Sequence, residues 1–524
     1  MKSDSTSAFR GAALMIAAFV MIQPCSRAQS APPAASSPAD TASTVRDLED
    51  QVRQLRSMVD EMRAENAQSR AEMRQLHDDL QATRALLQPP ATSANLGAQP
   101  NASDTVAATS PTPASIESRV DKLEESTALI GSKVDEQFQT KVETASKYRA
   151  RLHGIVLMNA FRNVGGSNNF DLPDYSELVP AAAPIATMGA TLRQSQIGLE
   201  IFGPTVGGAR ASADVTLDFA GGFAGTGNGA DYGIVRLQTA NVRFDWENTS
   251  VVAGQDALFI SPLSPTSFAT LATPTFGLAG NLWAWTPQLR VEHRFSVSDR
   301  QTITMQAGIL DNLDWEYPHS SYYRSAQAGE LSGQPAYAFR TAWSRPVQEH
   351  PLSFGVAGYY GRQNWSWDRY VDAWAGMADW QIPILPRLAL SGELYRGRGI
   401  GGLGAGIGTS IVYGGDRTNP YTPIRAVDAA GGWTQLKLQV TPKVEVNGAI
   451  SMDDAFTTNI RGFAIDANNF GPILGRNRGS LGNVIFRPRS DLILAAELRR
   501  FRTWQVYGVS SATNQLNLSA GILF

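Results

Sequence analysis

From residue 149 to the C-terminus, apolar and polar positions alternate with a period of two. In the stretch 209–219, Ala209, Ala211, Ala213, Val215, Leu217 and Phe219 alternate with Arg210, Ser212, Asp214, Thr216 and Asp218. The stretches 302–309 and 434–453 repeat the pattern. The chain ends the same way, with Leu516, Leu518, Ala520, Ile522 and Phe524 opposing Gln515, Asn517, Ser519 and Gly521. A period of two places one set on each face of an extended strand. The runs are about ten residues long, enough to cross a bilayer at a tilt, whereas strands of soluble sandwiches average about five or six.

The connections alternate as well. Short ones are expected near 204–208, 247–249, 296–300, 346–351, 383–387, 441–443 and 487–491. Long ones are expected near 161–189, 220–233, 257–285, 311–334, 363–369, 397–431, 454–478 and 502–512. Seven short and eight long connections join sixteen strands. Short turns at one rim and long loops at the other mark an outer-membrane β-barrel, with lipid outside and water inside. The fold class is therefore an all-β transmembrane barrel of about sixteen antiparallel strands. An even count puts both barrel ends at the short-turn, periplasmic rim.

Upstream of residue 149 the period changes. Residues 1–28 read as a secretory signal: Lys2 and Arg10, an apolar run over 11–22, and a Ser26-Arg27-Ala28 cleavage site. Cys25 raises a lipidated alternative, which the preceding Pro24 disfavours. Over 41–87, Val45, Val52, Val59, Asn66, Met73, Leu80 and Leu87 take heptad position a, and Leu48, Leu55, Met62, Ser69, Leu76 and Thr83 take d. This is a coiled coil, with Asn66 as a register-fixing polar residue. Residues 88–114 are a Pro/Ala/Ser/Thr-rich disordered linker. Residues 115–147 carry an apolar stripe and read as a second helix, ahead of the barrel at 149–524. The coiled coil would sit in the periplasm.

Composition narrows the chemistry. The net charge of −3 points to no nucleic-acid partner. Cys25, the one cysteine, lies in the signal, so the mature chain has no thiol for a disulfide or cluster. The five histidines are scattered, and no Gly-x-Ser-x-Gly elbow or His-Glu-x-x-His pair occurs, so neither enzyme chemistry nor a cofactor is indicated. Asp311-Asn312-Leu313-Asp314 and Asp466-Ala467-Asn468-Asn469 lack full calcium-ligand spacing and read as ordinary turns. No metal site is expected.

A sixteen-stranded barrel encloses a channel, so inward faces carry its chemistry. The alternation assigns Arg210, Arg290, Arg294, Arg340, Lys437, Arg499, Glu292 and Glu393 to the pore lining. The alternation around Arg236 and Arg243 does not resolve. From residue 149 on there are 28 arginines and two lysines. Arginine forks grip carboxylates at two points, although the bias also fits a general preference for arginine. No charged residue lies between Asp256 and Arg290. This segment holds Phe259, Phe268, Phe276, Trp283 and Trp285, and either folds into the lumen as a constriction or packs against a neighbouring subunit. The lumen is the favoured course.

The order of signal, coiled coil, linker and barrel ending in Phe524 resembles the DcaP-like trimeric outer-membrane porins. Locally, Val251-Val252-Ala253-Gly254-Gln255-Asp256 resembles that family's entry into its constriction loop, and Ile400-Gly401-Gly402-Leu403-Gly404-Ala405-Gly406 its glycine-rich loop. The resemblance implies a homotrimer in outer-membrane lipid that passes small organic anions such as dicarboxylates. It also implies that Phe524 acts as a barrel-assembly signal. The long linker and the uncharged constriction loop depart from the family. The reading is a passive porin in the cell outer membrane. Its rivals are a structural tether whose coiled coil reaches the cell wall, and a phosphate-selective porin, which would be expected to show a lysine-rich passage.

Overall fold

The computed structural model describes residues 141–142, 149–223, 233–312, 314, 324–347, 350–463 and 473–524. The signal, the coiled coil with Asn66 and the linker lie outside the described residues. Of the stretch 115–147, only Lys141–Val142 is described. It is extended there, not helical, and pairs with Ala150 and Arg151.

The wall is one antiparallel sheet closed on itself. Its strands are β1 (Arg149–Val164), β2 (Ala186–Thr191 and Gln196–Val206), β3 (Ala209–Asp218), β4 (Arg236–Asp245), β5 (Thr249–Ala257), β6 (Trp285–Ser298), β7 (Gln301–Leu310) and β8 (Ala336–Val347). They continue as β9 (His350–Asn364), β10 (Tyr370–Leu385), β11 (Leu388–Arg398), β12 (Asp428–Thr441), β13 (Val444–Ala455), β14 (Leu474–Phe486), β15 (Leu492–Gln505) and β16 (Ser510–Leu523). The sheet has eighteen hydrogen-bonded segments. One is the Lys141–Val142 piece and two are the halves of β2, so the wall has sixteen strands among the described residues.

Each strand pairs with its neighbours in sequence, and β16 pairs back onto β1 from Ile155↔Leu523 to Val164↔Asn514. Closure leaves no edge strand, which is what hydrocarbon demands of a sheet. The alternation of short and long connections follows the sequence reading, with two corrections. The connection expected over 363–369 is five residues, 365–369, no longer than the short one at 487–491. The connection expected over 502–512 is only four residues, 506–509, because β15 and β16 run on to its tip.

The faces follow the period of two. On β16, Leu516, Leu518 and Ile522 are 47%, 54% and 56% exposed on the outer face, while Gln515 and Asn517 are 1% exposed on the inner one. The unresolved alternation in β4 has a local cause. A bulge at Gln238 breaks the register between Thr216↔Thr239 and Leu217↔Leu237. The extra residue flips the parity, so Arg236 and Arg243 both turn inward despite their odd separation.

The seam is finished by the last residue. The Gly154 amide donates to the Phe524 carbonyl at 2.9 Å, and the Phe524 amide donates to the Gly154 carbonyl at 3.1 Å. Phe524 lies beside the short turn 487–491, where the Leu523 amide donates to the Asp491 carbonyl at 2.7 Å. A Cβ on Gly154 would stand 2.3 Å from the Gln196 carbonyl oxygen and 2.8 Å from the Phe524 ring. Both β2 and β16 therefore approach β1 as closely as they do because residue 154 is glycine. Gly154→Val is expected to lower the heat-resistant, fast-migrating folded fraction on unheated gels. Gly376→Val, where a Cβ meets nothing within 4 Å, should leave that fraction unchanged.

Candidate functional site: the inner loop and the opposing ion-pair wall

The uncharged segment 258–284 between β5 and β6 is held by side chains on the inner faces of many strands. Glu393 on β11 accepts the Leu263 amide at 2.8 Å and the Ser261 hydroxyl. Gln435 on β12 accepts the Thr266 amide at 2.6 Å. Asn483 on β14 donates to the Thr266 carbonyl at 2.8 Å, and Glu497 on β15 accepts the Ser267 hydroxyl at 2.6 Å. Asn159 on β1 donates to the Phe268 carbonyl at 2.9 Å. Gln194, in the break of β2, donates to Ala269 at 3.0 Å and accepts from Leu271 at 2.7 Å. Arg236 on β4 donates to the Ala272 carbonyl. Anchors from β11 round to β4 cover more than half of the ring, and one loop reaches them all only through the interior.

The loop is uncharged because the wall supplies its polar partners. Buried backbone amides and carbonyls need hydrogen bonds, and inward Asn, Gln, Glu and Arg side chains supply them without a buried loop charge. Its apolar residues fill three pockets. Phe259 and Leu282 join the buried cluster of Tyr359, Tyr395 and Leu403. Phe276, at φ 65, sets its ring edge-on to Phe501 at 6.1 Å. Phe268 and Leu271 pack against Ile155, Leu157, Ile485 and Ile493. Trp283 donates through Nε1 to Gly277 at 2.9 Å and packs edge-on against Trp285 at 5.2 Å. Arg236 lies 4.8 Å over the Trp285 ring.

The glycine-rich loop enters beside it. Residues Gly401–Leu403 form a buried 3₁₀ turn, and the buried Ala405, Gly406 and Ile407 follow it, with Gly406 at φ 56 and Ile407 at φ 54 in the left-handed region. The Trp283 amide donates to the Leu403 carbonyl at 3.0 Å. Asp453 on β13 accepts the Ile407 amide at 2.9 Å, the Gly406 amide at 3.2 Å and the Tyr395 hydroxyl at 2.7 Å. Asp453 thus grips a loop backbone, a role its place on a polar face did not indicate. Gly404, at φ 88, sits where a Cβ would meet the Gly277 carbonyl at 2.3 Å, so the two loops interlock through glycine.

The opposite arc, β4 to β10, carries a chain of ion pairs. Arg243 pairs with Asp245 at 2.8 Å and reaches Glu292 at 3.5 Å. Arg290 pairs with Glu292 at 2.8 Å and Asp256 at 2.7 Å. Gln306 links Glu292 to Arg340, which grips Asp379 at 2.7 and 3.0 Å. Arg290 and Arg340 are thus engaged by carboxylates. Arg294 donates to the Ser250 hydroxyl at 3.2 Å, and that hydroxyl donates to Asp245 at 2.5 Å, so Arg294 reaches a carboxylate only through Ser250. Arg210 is exposed, in register with Asp245 at the short-turn end. Lys437 stands 3.6 Å from Glu445. Arg499, 2% exposed, pairs with Glu497 and donates to Ser267 and Thr270 at 3.2 Å, so it belongs to the loop's anchorage. Three of these pairs, Arg243 with Asp245, Arg290 with Glu292 and Arg499 with Glu497, are two residues apart on one strand, whereas Asp256, Asp379 and Glu445 reach their partners across strands. Among the described residues no cluster of His, Cys, Asp and Glu could hold a metal.

A third loop, 165–185, also reaches the inner face: Arg193 pairs with Asp171, and Asn477 donates to the Asp174 carbonyl at 2.9 Å. Burial pushes the Asp174 carboxyl up to about 6, against the pull of Arg499 and Arg193.

No protein-family model matches the chain. No curated protein matches it. Among solved structures, the outer membrane channel DcaP of Acinetobacter baumannii matches with a TM-score of 0.54, covering 73% of this chain and 99% of that one at 14% identity. An anion-selective porin from Comamonas acidovorans matches with a TM-score of 0.44 at 11% identity, covering 72% of this chain and 100% of that one. Pseudomonas putida OprB matches with 0.45 at 12% identity, covering 75% and 97%. The DcaP match is one of fold: this chain has the barrel of an outer-membrane channel.

Two outcomes are expected. Arg499→Met leaves Glu497 buried without its cation and should destabilise the barrel by about 3–5 kcal/mol in urea titrations in liposomes; Glu497→Gln/Arg499→Met should recover part of that loss. The raised Asp174 value means that the folded loop prefers the protonated acid. Its contribution is full below about pH 4 and is lost as pH rises through about 6, amounting to no more than about 3 kcal/mol. Asp174→Asn should abolish that pH dependence of the urea midpoint.

Proposed function

We propose that the protein is a passive outer-membrane porin for small hydrophilic solutes, with carboxylate-bearing anions preferred. The observation that carries this reading is the division of the interior. An uncharged, hydrogen-bonded loop fills one arc, and a wall of ion pairs faces it from β4 to β10. Such a wall offers a polar path past a narrowing without any group poised for catalysis. In this reading Phe259, Phe268, Phe276, Trp283 and Trp285 hold the constriction in place. Arg294 and Arg210, which have no carboxylate at ion-pair distance among the described residues, are the guanidiniums that meet a passing carboxylate. Arg290 and Arg340 act chiefly by shaping the wall.

The heptads over 41–87 support self-association, and the resemblance to the DcaP-like family supports three barrels with the coiled coil on the periplasmic side. Phe524, at the seam, serves in this reading as the assembly signal. The long-loop rim then faces outside.

Planar-bilayer recording tests this reading. The protein should conduct in steps of three, with anions preferred. Arg294→Ala should lower anion preference more than Arg290→Ala, and a cation-preferring unmodified channel would sink the carboxylate reading. Replacing 262–280 by a short Gly/Ser linker should raise conductance roughly twofold. Liposomes that fail to swell in small sugars and acids would instead indicate a plugged barrel serving as a tether.

A further inference from the structure

The outer wall carries a feature that conduction does not use. Arg478 on β14 and Arg500 and Arg502 on β15 point outward and are exposed. Arg478 lies directly opposite Arg502, and Arg500 opposite Ser480. Like charges in facing positions destabilise a sheet unless something neutralises them. None of the three has a carboxylate within ion-pair distance among the described residues. Instead the Arg478 and Arg502 guanidiniums lie 5.4 and 4.8 Å from the Trp504 ring.

The three arginines border one side of a hollow of about 740 Å³ on the outer surface. Its floor is low because Gly432, Thr434 and Ser480 are small. Its other side is apolar, made by Trp380, Leu394, Ile450 and Met452. Ile450 and Leu394 are 63% and 50% exposed. Below the arginines, β15 continues toward the short-turn rim with outward Leu498 and Leu494, the lipid-facing band. The basic side therefore lies at the level where headgroups meet hydrocarbon, toward the long loops, with an aromatic ring at the same level.

We infer that this hollow binds a phosphate-bearing lipid of the outer leaflet. Its phosphates would sit on Arg478, Arg500 and Arg502, and an acyl chain would lie along Leu394, Ile450 and Met452. Guanidinium forks match phosphate oxygens, and the apolar side matches a chain. A second copy of this chain is a poorer occupant. The outward carboxylates of its described wall, Asp372, Asp428 and Asp454, already stand within 3.9, 3.5 and 2.7 Å of Arg362, Arg396 and Arg476. They leave no free anion to neutralise the cluster. The inference rests on the outer-membrane location but not on the solute, because these side chains face away from the lumen.

The test is native mass spectrometry of the full-length protein in detergent, titrated with bis-phosphorylated lipid A. Parallel titrations use enzymatically dephosphorylated lipid A and inorganic phosphate. The unmodified protein should retain lipid A, bind the dephosphorylated form at least tenfold more weakly and show no comparable affinity for inorganic phosphate. Arg478→Ala/Arg500→Ala/Arg502→Ala should weaken lipid A binding at least tenfold while bilayer conductance stays unchanged. Thr434→Trp, which fills the hollow and keeps the arginines, should weaken it as well. Should the triple variant not fold, Arg502→Gln alone should weaken binding severalfold in a barrel that still conducts. Equal lipid A binding by a folded arginine variant would overturn the proposal. So would equal affinity for inorganic phosphate, or loss of oligomerisation with lipid A binding intact, which would mark an interface between copies.

Discussion

Hydrocarbon offers no hydrogen bonds, so every amide and carbonyl of the wall must find a partner in the wall itself. The sheet meets that demand only when β16 lies on β1, and the reciprocal bonds between Gly154 and Phe524 complete the ladder. The same demand recurs inside, where 258–284 brings a run of backbone groups into a confined space. There the wall's Asn159, Gln194, Gln435 and Asn483 take the part that neighbouring strands take in the ladder. The interior is thus organised by amide side chains first and by charges second.

That division explains why the two arcs look different. Where the loop sits, a charge on either surface needs a fixed partner, as Arg499 has in Glu497 and Glu393 has in Ser261 and the Leu263 amide. Where the loop does not sit, Arg243, Glu292, Arg290 and Asp256 form a chain that combines cross-strand pairs with the same-strand pair Arg290–Glu292. Gly355 is part of that chain's geometry: a Cβ there would stand 2.2 Å from an Asp379 oxygen and 2.7 Å from an Arg340 nitrogen. The pair can cross the strand only because the position is empty.

Much of the wall was legible in the sequence because a strand's faces are set by local parity. Leu516, Leu518 and Ile522 against Gln515 and Asn517 needed no tertiary information. Parity failed at β4, where the bulge at Gln238 inserts a residue that no propensity announces. It also failed to separate an arginine that meets solvent from one that is spoken for. Arg290 and Arg294 are four residues apart on one strand and one face, yet one holds two carboxylates and the other a serine hydroxyl. Glu292 is on the same strand, two residues from each arginine, but Asp256 and Ser250 sit on β5, and which arginine faces which is a matter of cross-strand register. The glycine-rich loop was visible as composition, but its fit against Gly277 and its hold on Asp453 were not. Both depend on where two long connections meet.

The anchorage of 258–284 also sets an order of events. Thr266 is held by Asn483, Ser267 by Glu497 and Phe268 by Ser519, partners 217, 230 and 251 residues further along the chain. When β5 and β6 form, none of these exists as a wall. The loop's native contacts there wait on β14 to β16 being in place, so its anchorage depends on the closed seam. An uncharged sequence suits that wait, since it carries no group that would pair early with the wrong strand. The shape of this inner loop is therefore fixed by strands that follow it by more than two hundred residues, and a defect in the last strands would be felt inside the barrel as well as at its seam.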